Sequence, residues 1–101
     1  MSVTTAVRGV FSAAHRDPLN GAMHGHDYEV IAHFGGEPLR RFEVLQETLR
    51  QTLSGFVDHV ELPPDRWSAE ALAPLIGGLL GGCIRLEINR PWLGHFVVWT
   101  P

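Results

Sequence analysis

"HGHDYEVIAHF", residues 24–34, becomes regular partway along: Tyr28, Val30, Ala32 and Phe34 fall on one side of an extended chain, and Glu29, Ile31 and His33 on the other. A period of two with one apolar side is the pattern of a β-strand that covers a core, and it predicts a strand over Asp27–Phe34. Gly35-Gly36 ends that run. The two histidines that precede it, His24 and His26, then sit two residues apart at the strand's entrance.

Upstream, Val3 to Ala14 is β-branched, small or aromatic, with Val3, Val7, Val10 and Phe11 able to pack, and predicts a strand ending near His15. Between the strands, Asp17-Pro18 and Asn20-Gly21 are turn formers, so Arg16–Met23 reads as a loop. Downstream, Pro38 suits a first helical turn, and Leu39, Phe42, Leu45, Leu49, Leu53 and Phe56 recur at steps of three and four. Asp58–Pro64 connects to a second helix, capped by Ser68 and carrying Leu72, Leu75, Ile76, Leu79 and Leu80, in which Pro74 predicts a kink. Cys83–Asn89 and His95–Thr100 alternate about a Pro-Trp-Leu-Gly turn and read as a hairpin. The order is strand, strand, helix, helix, strand, strand: a single α+β domain, its antiparallel four-stranded sheet covered on one face by two helices.

Composition narrows the function. The chain has 101 residues, 45% apolar, with net charge −3, and its eight scattered cationic residues are all arginine. No basic stripe exists to follow a phosphate backbone, which argues against nucleic acid, and the lack of lysine removes Schiff-base chemistry and the lysine-dependent phosphate loop. A single cysteine, Cys83, and no leader-like N-terminus lead to the expectation of a cytoplasmic protein. No apolar run nears the roughly 20 residues needed to span a bilayer, so no membrane role is expected. A domain this small exposes much of its surface, which favours a homo-oligomer.

If the second strand has begun by His24, then His24 and His26 point the same way, and His15 can meet them from the neighbouring strand. Three neutral imidazoles with a fourth position left open suit a catalytic zinc. His33 and His95 read as histidines satisfied by local hydrogen bonds.

Taken together, "FSAAH" (11–15), "HGHDY" (24–28), "VDHVEL" (57–62), "SAE" (68–70) and "RLE" (85–87) resemble, in order and across nearly the whole chain, the 6-pyruvoyl-tetrahydropterin synthase and 6-carboxytetrahydropterin synthase family. The resemblance implies the ββααββ tunnelling fold and a zinc-dependent lyase acting on a pterin such as dihydroneopterin triphosphate, in pterin or queuosine biosynthesis. It implies that His15, His24 and His26 hold Zn2+ and that Asp58 and His59 are catalytic. Glu87 would anchor the guanidine-like edge of the pterin, with Glu70 and Ser68 lining the same pocket. It also implies trimers stacked into hexamers, with sites between subunits, so that Asp58–His59 serves either its own zinc or a neighbour's.

The sequence departs from the family pattern at one position that matters. Where synthases carry a cysteine base four residues before the His-Gly-His run, this chain has Asn20, and Gly21 stands where some relatives use glutamate. An amide takes no proton at neutral pH. Asp17, in the same loop, is a possible substitute, and Cys83 reads as a small buried apolar residue. Two functions stay open: a pterin lyase with another base, or a divergent zinc- and pterin- or purine-binding homologue. A bare structural scaffold is a third. Asp58 as a turn cap, Glu87 as a strand residue sharing a face with Cys83, Arg85 and Asn89, and Glu70 as a helix-dipole partner are the competing structural roles.

Overall fold

A computed structural model of the chain describes residues 3–35 and 41–101. The elements are β1 (Thr5–Arg16), β2 (Met23–Phe34), α1 (Phe42–Phe56), β3 (Val60–Glu61), α2 (Ala69–Leu79), β4 (Cys83–Arg90) and β5 (His95–Trp99), with one 3-10 turn at Pro91–Leu93. The strand end at Gly36 and the helix start at Pro38 and Leu39 lie outside the described residues. The strand order is β3-β1-β2-β4-β5, antiparallel throughout except that β3 runs parallel to β1. Among the described residues the sheet therefore has five strands rather than the four expected. Two-residue β3 is too short to alternate, and its pairing with Ala13 and Ala14 follows from contacts made elsewhere. No helix among the described residues is long and apolar enough to cross a membrane.

One face of the sheet builds the core. Val7, Phe11 and Ala13 of β1, Tyr28, Val30, Ala32 and Phe34 of β2, and Leu86 and Ile88 of β4 are all buried there. Val3 and Val10, expected to pack, are 64% and 60% exposed; Val10 has the opposite parity to Val7 and Phe11. α1 lies over β1, and α2 over β4 and β5. At Gly9 a Cβ would come within 2.9 Å of Leu53 Cδ1, so the glycine lets α1 approach β1 closely.

α1 has no side-chain cap at Arg41. A cap is worth about 1 kcal/mol, whereas burying each of Leu45, Leu49 and Leu53 contributes about 1.5–3 kcal/mol, so docking holds this helix in place. Phe42, at its start, stays 56% exposed. α2 does have its expected cap: Ser68 Oγ accepts from Ala71 N at 3.1 Å. It runs through Pro74 without ending, because the carbonyl that Pro74 cannot bond belongs to the exposed first-turn residue Glu70. Its buried face is Ala69, Leu72, Ala73, Ile76 and Gly77, while Leu79 is 57% exposed. The rotation has a steric cause: Trp99 lies on Gly77, where a Cβ would stand 2.2 Å from its ring.

Candidate functional site

β2 begins at Met23, four residues ahead of the predicted Asp27, and this decides where the histidines go. In the β1–β2 ladder His15 pairs with His24 and Ala13 with His26. Cross-strand partners share a face, so His15, His24 and His26 continue the core face of Phe11, Tyr28 and Val30 toward the hairpin end. Their ring centres are 4.9 Å (His15–His26), 5.9 Å (His15–His24) and 6.3 Å (His24–His26) apart. Imidazoles bound to one tetrahedral zinc at Zn–N distances of about 2.0–2.1 Å have centres about 5 Å apart.

The rings of His15 and His26 are stacked, within 22° of parallel. Accordingly, among the described residues no group of three His, Cys, Asp or Glu side chains is already arranged to hold a metal. His15 is nonetheless unusual. It is 6% exposed, stacks on Trp67 at 4.7 Å, and its Nε2 is buried without a hydrogen-bond partner. Leaving such a nitrogen unsatisfied costs about 1–3 kcal/mol, which a ligand on that atom would offset. Burial, followed by the charges of Arg90 and the two other histidines, pushes the His26 pKa down, favouring the neutral imidazole that a metal needs. Asp17 Oδ2 lies 3.5 Å from His24 Nε2.

The loop between the strands is held by its own polar groups. Asp17 Oδ1 accepts from Leu19 N and Asn20 Oδ1 from Ala22 N, both at 2.8 Å. Asn20 is thus a turn residue. The Leu19 N–H, and after it that of Asn20, hold the Asp17 carboxyl below the usual range against the opposing effect of desolvation. This makes it a weak base.

Asp58 and His59 follow α1 and are fastened to the edge of β1. Asp58 Oδ1 accepts from Ser12 N at 3.0 Å, its Oδ2 lies 2.9 Å from His59 Nδ1, and His59 N donates to Ser12 O at 2.6 Å. These bonds start the β3 pairing. The Ser12 N–H, then His59, hold the Asp58 carboxyl below its ordinary range. His59 has φ +58°, the left-handed region. His59 borders an open cleft of about 490 Å3 with Ser12, Ala14, Gly25, Asp27 and Glu61, on the helix-free side; His26 borders it too, while its ring belongs to the other face.

The three residues expected to line one pterin pocket are separated. Glu87 pairs with Ile31 across the ladder, on the face opposite the histidines, where it takes a 2.7 Å hydrogen bond from His33 Nε2 and has Arg85 Nε at 3.9 Å. Arg85 and Asn89 share its strand parity, but Cys83 does not share its face. The ladder shifts register between His33 and Phe34, turning Cys83 into the core, where burial pushes its thiol pKa up. Ser68 spends its hydroxyl on the α2 cap. Glu70 lies on the helix side, its Oε1 2.9 Å from His95 Nε2.

The β4 residue that does face the histidines is Arg90, which sequence reasoning missed. It follows Leu86 and Ile88 at steps of two, and that parity with two buried residues was the available signal. Its guanidinium carbon stands 5.9 Å from the centre of the Tyr28 ring, and the Tyr28 ring centre is 6.1 Å from that of His26. Arg90 Nε and Nη2 lie 3.1 and 2.8 Å from His95 Nδ1. Since a guanidinium only donates, His95 Nδ1 accepts and its Nε2–H donates to Glu70.

Fold and site together define an α+β protein of the tunnelling fold, with a histidine cluster at the end of its longest hairpin. Among solved structures the chain is similar to the 6-pyruvoyl tetrahydropterin synthase of Caenorhabditis elegans, with a TM-score of 0.80 and 19% identity, covering 100% of this chain and 96% of that one. No family model and no curated protein matches the chain.

Proposed function

We propose that this chain is a member of the 6-pyruvoyl/6-carboxytetrahydropterin synthase family that binds Zn2+ through His15, His24 and His26 and acts as a lyase on dihydroneopterin triphosphate or a related pterin. One observation carries the reading: three imidazoles gather at the end of a hairpin, one with a buried, unpartnered Nε2, in a chain with the fold of a pterin synthase. Zinc held there supplies Lewis-acid polarisation of oxygens on the pterin side chain. His59 is the proton-transfer group. Asp58, kept charged by the Ser12 N–H, holds His59 Nδ1 and leaves Nε2 to take up or release a proton in the cleft it borders. The lone thiol being buried, no cysteine is at hand for that task. The working form in this reading is a cytoplasmic trimer or hexamer, in which Glu87 reaches a pterin only in a site formed from the helix-free face.

The test is product analysis of zinc-loaded protein with dihydroneopterin triphosphate. Loss of triphosphate with a 6-pyruvoyl or 6-carboxy product, sharply reduced in His59→Ala, is expected. A second reading, a divergent binder of zinc and a pterin or purine, is favoured by the engagement of Asn20 in its turn and of Glu87 with His33. Bound pterin with no product would select it.

A further inference from the structure

Seven arginines fall within the described residues, and six of them have a carboxylate close by. Arg8 pairs with Glu29, Arg16 with Glu61, Arg41 with Glu43, Arg50 with Glu47, Arg66 with Asp65 and Arg85 with Glu87, none farther than 3.9 Å. Arg90 is the exception among them. Among the described residues its only hydrogen-bond partner is the Nδ1 of His95, and the carboxylate of Glu70, whose charge it feels, bonds the far side of that ring rather than the guanidinium. Two of its five N–H groups go to one acceptor, and the remaining three meet none among the described residues.

A guanidinium that is half-buried and lacks a carboxylate is costly unless an anion completes it, and its planar fork is shaped for an oxyanion. The surroundings make it rigid. Tyr28, stacked on Phe11 at 4.5 Å, lies under the guanidinium, and the His95–Glu70 chain fixes the edge turned toward β5. Its position is also pointed: Arg90 follows the Glu29–Asn89 pair that ends the β2–β4 ladder and lies over Tyr28, two residues along β2 from His26.

We propose that Arg90 binds an oxyanion, the carboxylate or phosphate group of a small-molecule substrate, and brings it beside the histidine cluster. This deepens the proposed function by naming the substrate group that β4 recognises, and it rests on that reading for the reaction alone. Anion binding by Arg90 itself needs no metal.

The test is an NMR titration of the metal-free full chain with inorganic phosphate and, separately, acetate, following the Arg90 Nε–H and His95 ring resonances. Both are expected to move on saturation, and Arg90→Gln should weaken binding about tenfold or more. Arg90→Lys, which keeps the charge and guards against misfolding of the Gln variant, should retain part of the affinity. Arg8→Gln, on the opposite face, should change nothing. Binding of phosphate alone points to a phosphoester substrate, and of acetate alone to a carboxylate. No binding of either by the wild-type chain, or equal affinity in wild type and Arg90→Gln, overturns the proposal. Zinc uptake measured on the same samples separates the two readings: uptake without anion binding sinks this one, and anion binding without uptake sinks the zinc site.

Discussion

The two faces of the β1–β2–β4 sheet both carry polar side chains and use them differently. On the helix-free face, Arg8 bonds Glu29, which also takes Asn89 Nδ2; Ser12 donates to Asp27; His33 donates to Glu87. Nearly every polar group there has its partner within the face, with buried Asn89 Oδ1 the exception. On the helix-covered face the apolar core gives way to His15, His24, His26 and Arg90, where a ring nitrogen and three guanidinium N–H groups have no partner among the described residues. Satisfied polar groups hold a sheet together; unsatisfied ones on rigid strands hold something else. The difference teaches that a polar residue's role is read from its unused bonds.

The contrast is most exposed to a variant that trades one property for the other. His15→Leu removes the buried unpartnered nitrogen, so the metal-free protein should gain about 1 kcal/mol in urea unfolding while zinc uptake, measured by elemental analysis, drops from about one equivalent to none. A destabilised variant that still takes up zinc would break the comparison. His24→Ala should likewise strip the metal, with little change in stability at its more exposed position.

Adjacent residues of β4 sharpen it next. Leu86→Ala, from a fully buried position, should cost about 3 kcal/mol, and Glu87→Ala, which removes one half-buried pair from the other face, less than about 1 kcal/mol. Equal losses in chemical denaturation would mean that the helix-free face is as much a core as the other. His59→Ala should lower product formation about a hundredfold or more while leaving unfolding unchanged, because its ring is 81% exposed.

The smallest effect is in acid. Asp17, Glu29 and Asp58 all have carboxyls below their ordinary values, each led by a hydrogen bond: from Leu19 N, Arg8 and Ser12 N respectively. A depressed carboxyl adds stability that is fully present above its unfolded value, about pH 4, and is lost as pH falls through the lower folded value. Asp58→Asn should therefore lower the melting temperature modestly near neutral pH, where that contribution is present, and flatten part of its decline below about pH 4. A steeper acid decline would contradict the assignment.

Much of this was legible from residues alone, and the reasons are physical. Tyr28–Phe34 alternates because one side is buried, and Leu45, Leu49 and Leu53 step by four because α1 lies flat on β1. The histidine cluster could be read because it depends only on local spacing and on one hairpin register. Glu87 was read as a pterin anchor from the resemblance of Arg-Leu-Glu, and the register shift at His33/Phe34, which turns Cys83 into the core and off Glu87's face, leaves no mark in composition. The buried face of α2 was misjudged at Leu79 because Trp99, far along the chain, claims the space over Gly77. β3 exists only because Asp58 and His59 bond Ser12.

His59 holds one more consequence. A left-handed backbone suits glycine or asparagine, and an imidazole there raises the energy of the turn by roughly 1–2 kcal/mol. As a matter of folding, then, the position is open to cheaper occupants. Evolving or redesigning this domain for heat resistance alone would discard His59 early, so a thermostable descendant selected without its substrate should carry its scar at this turn.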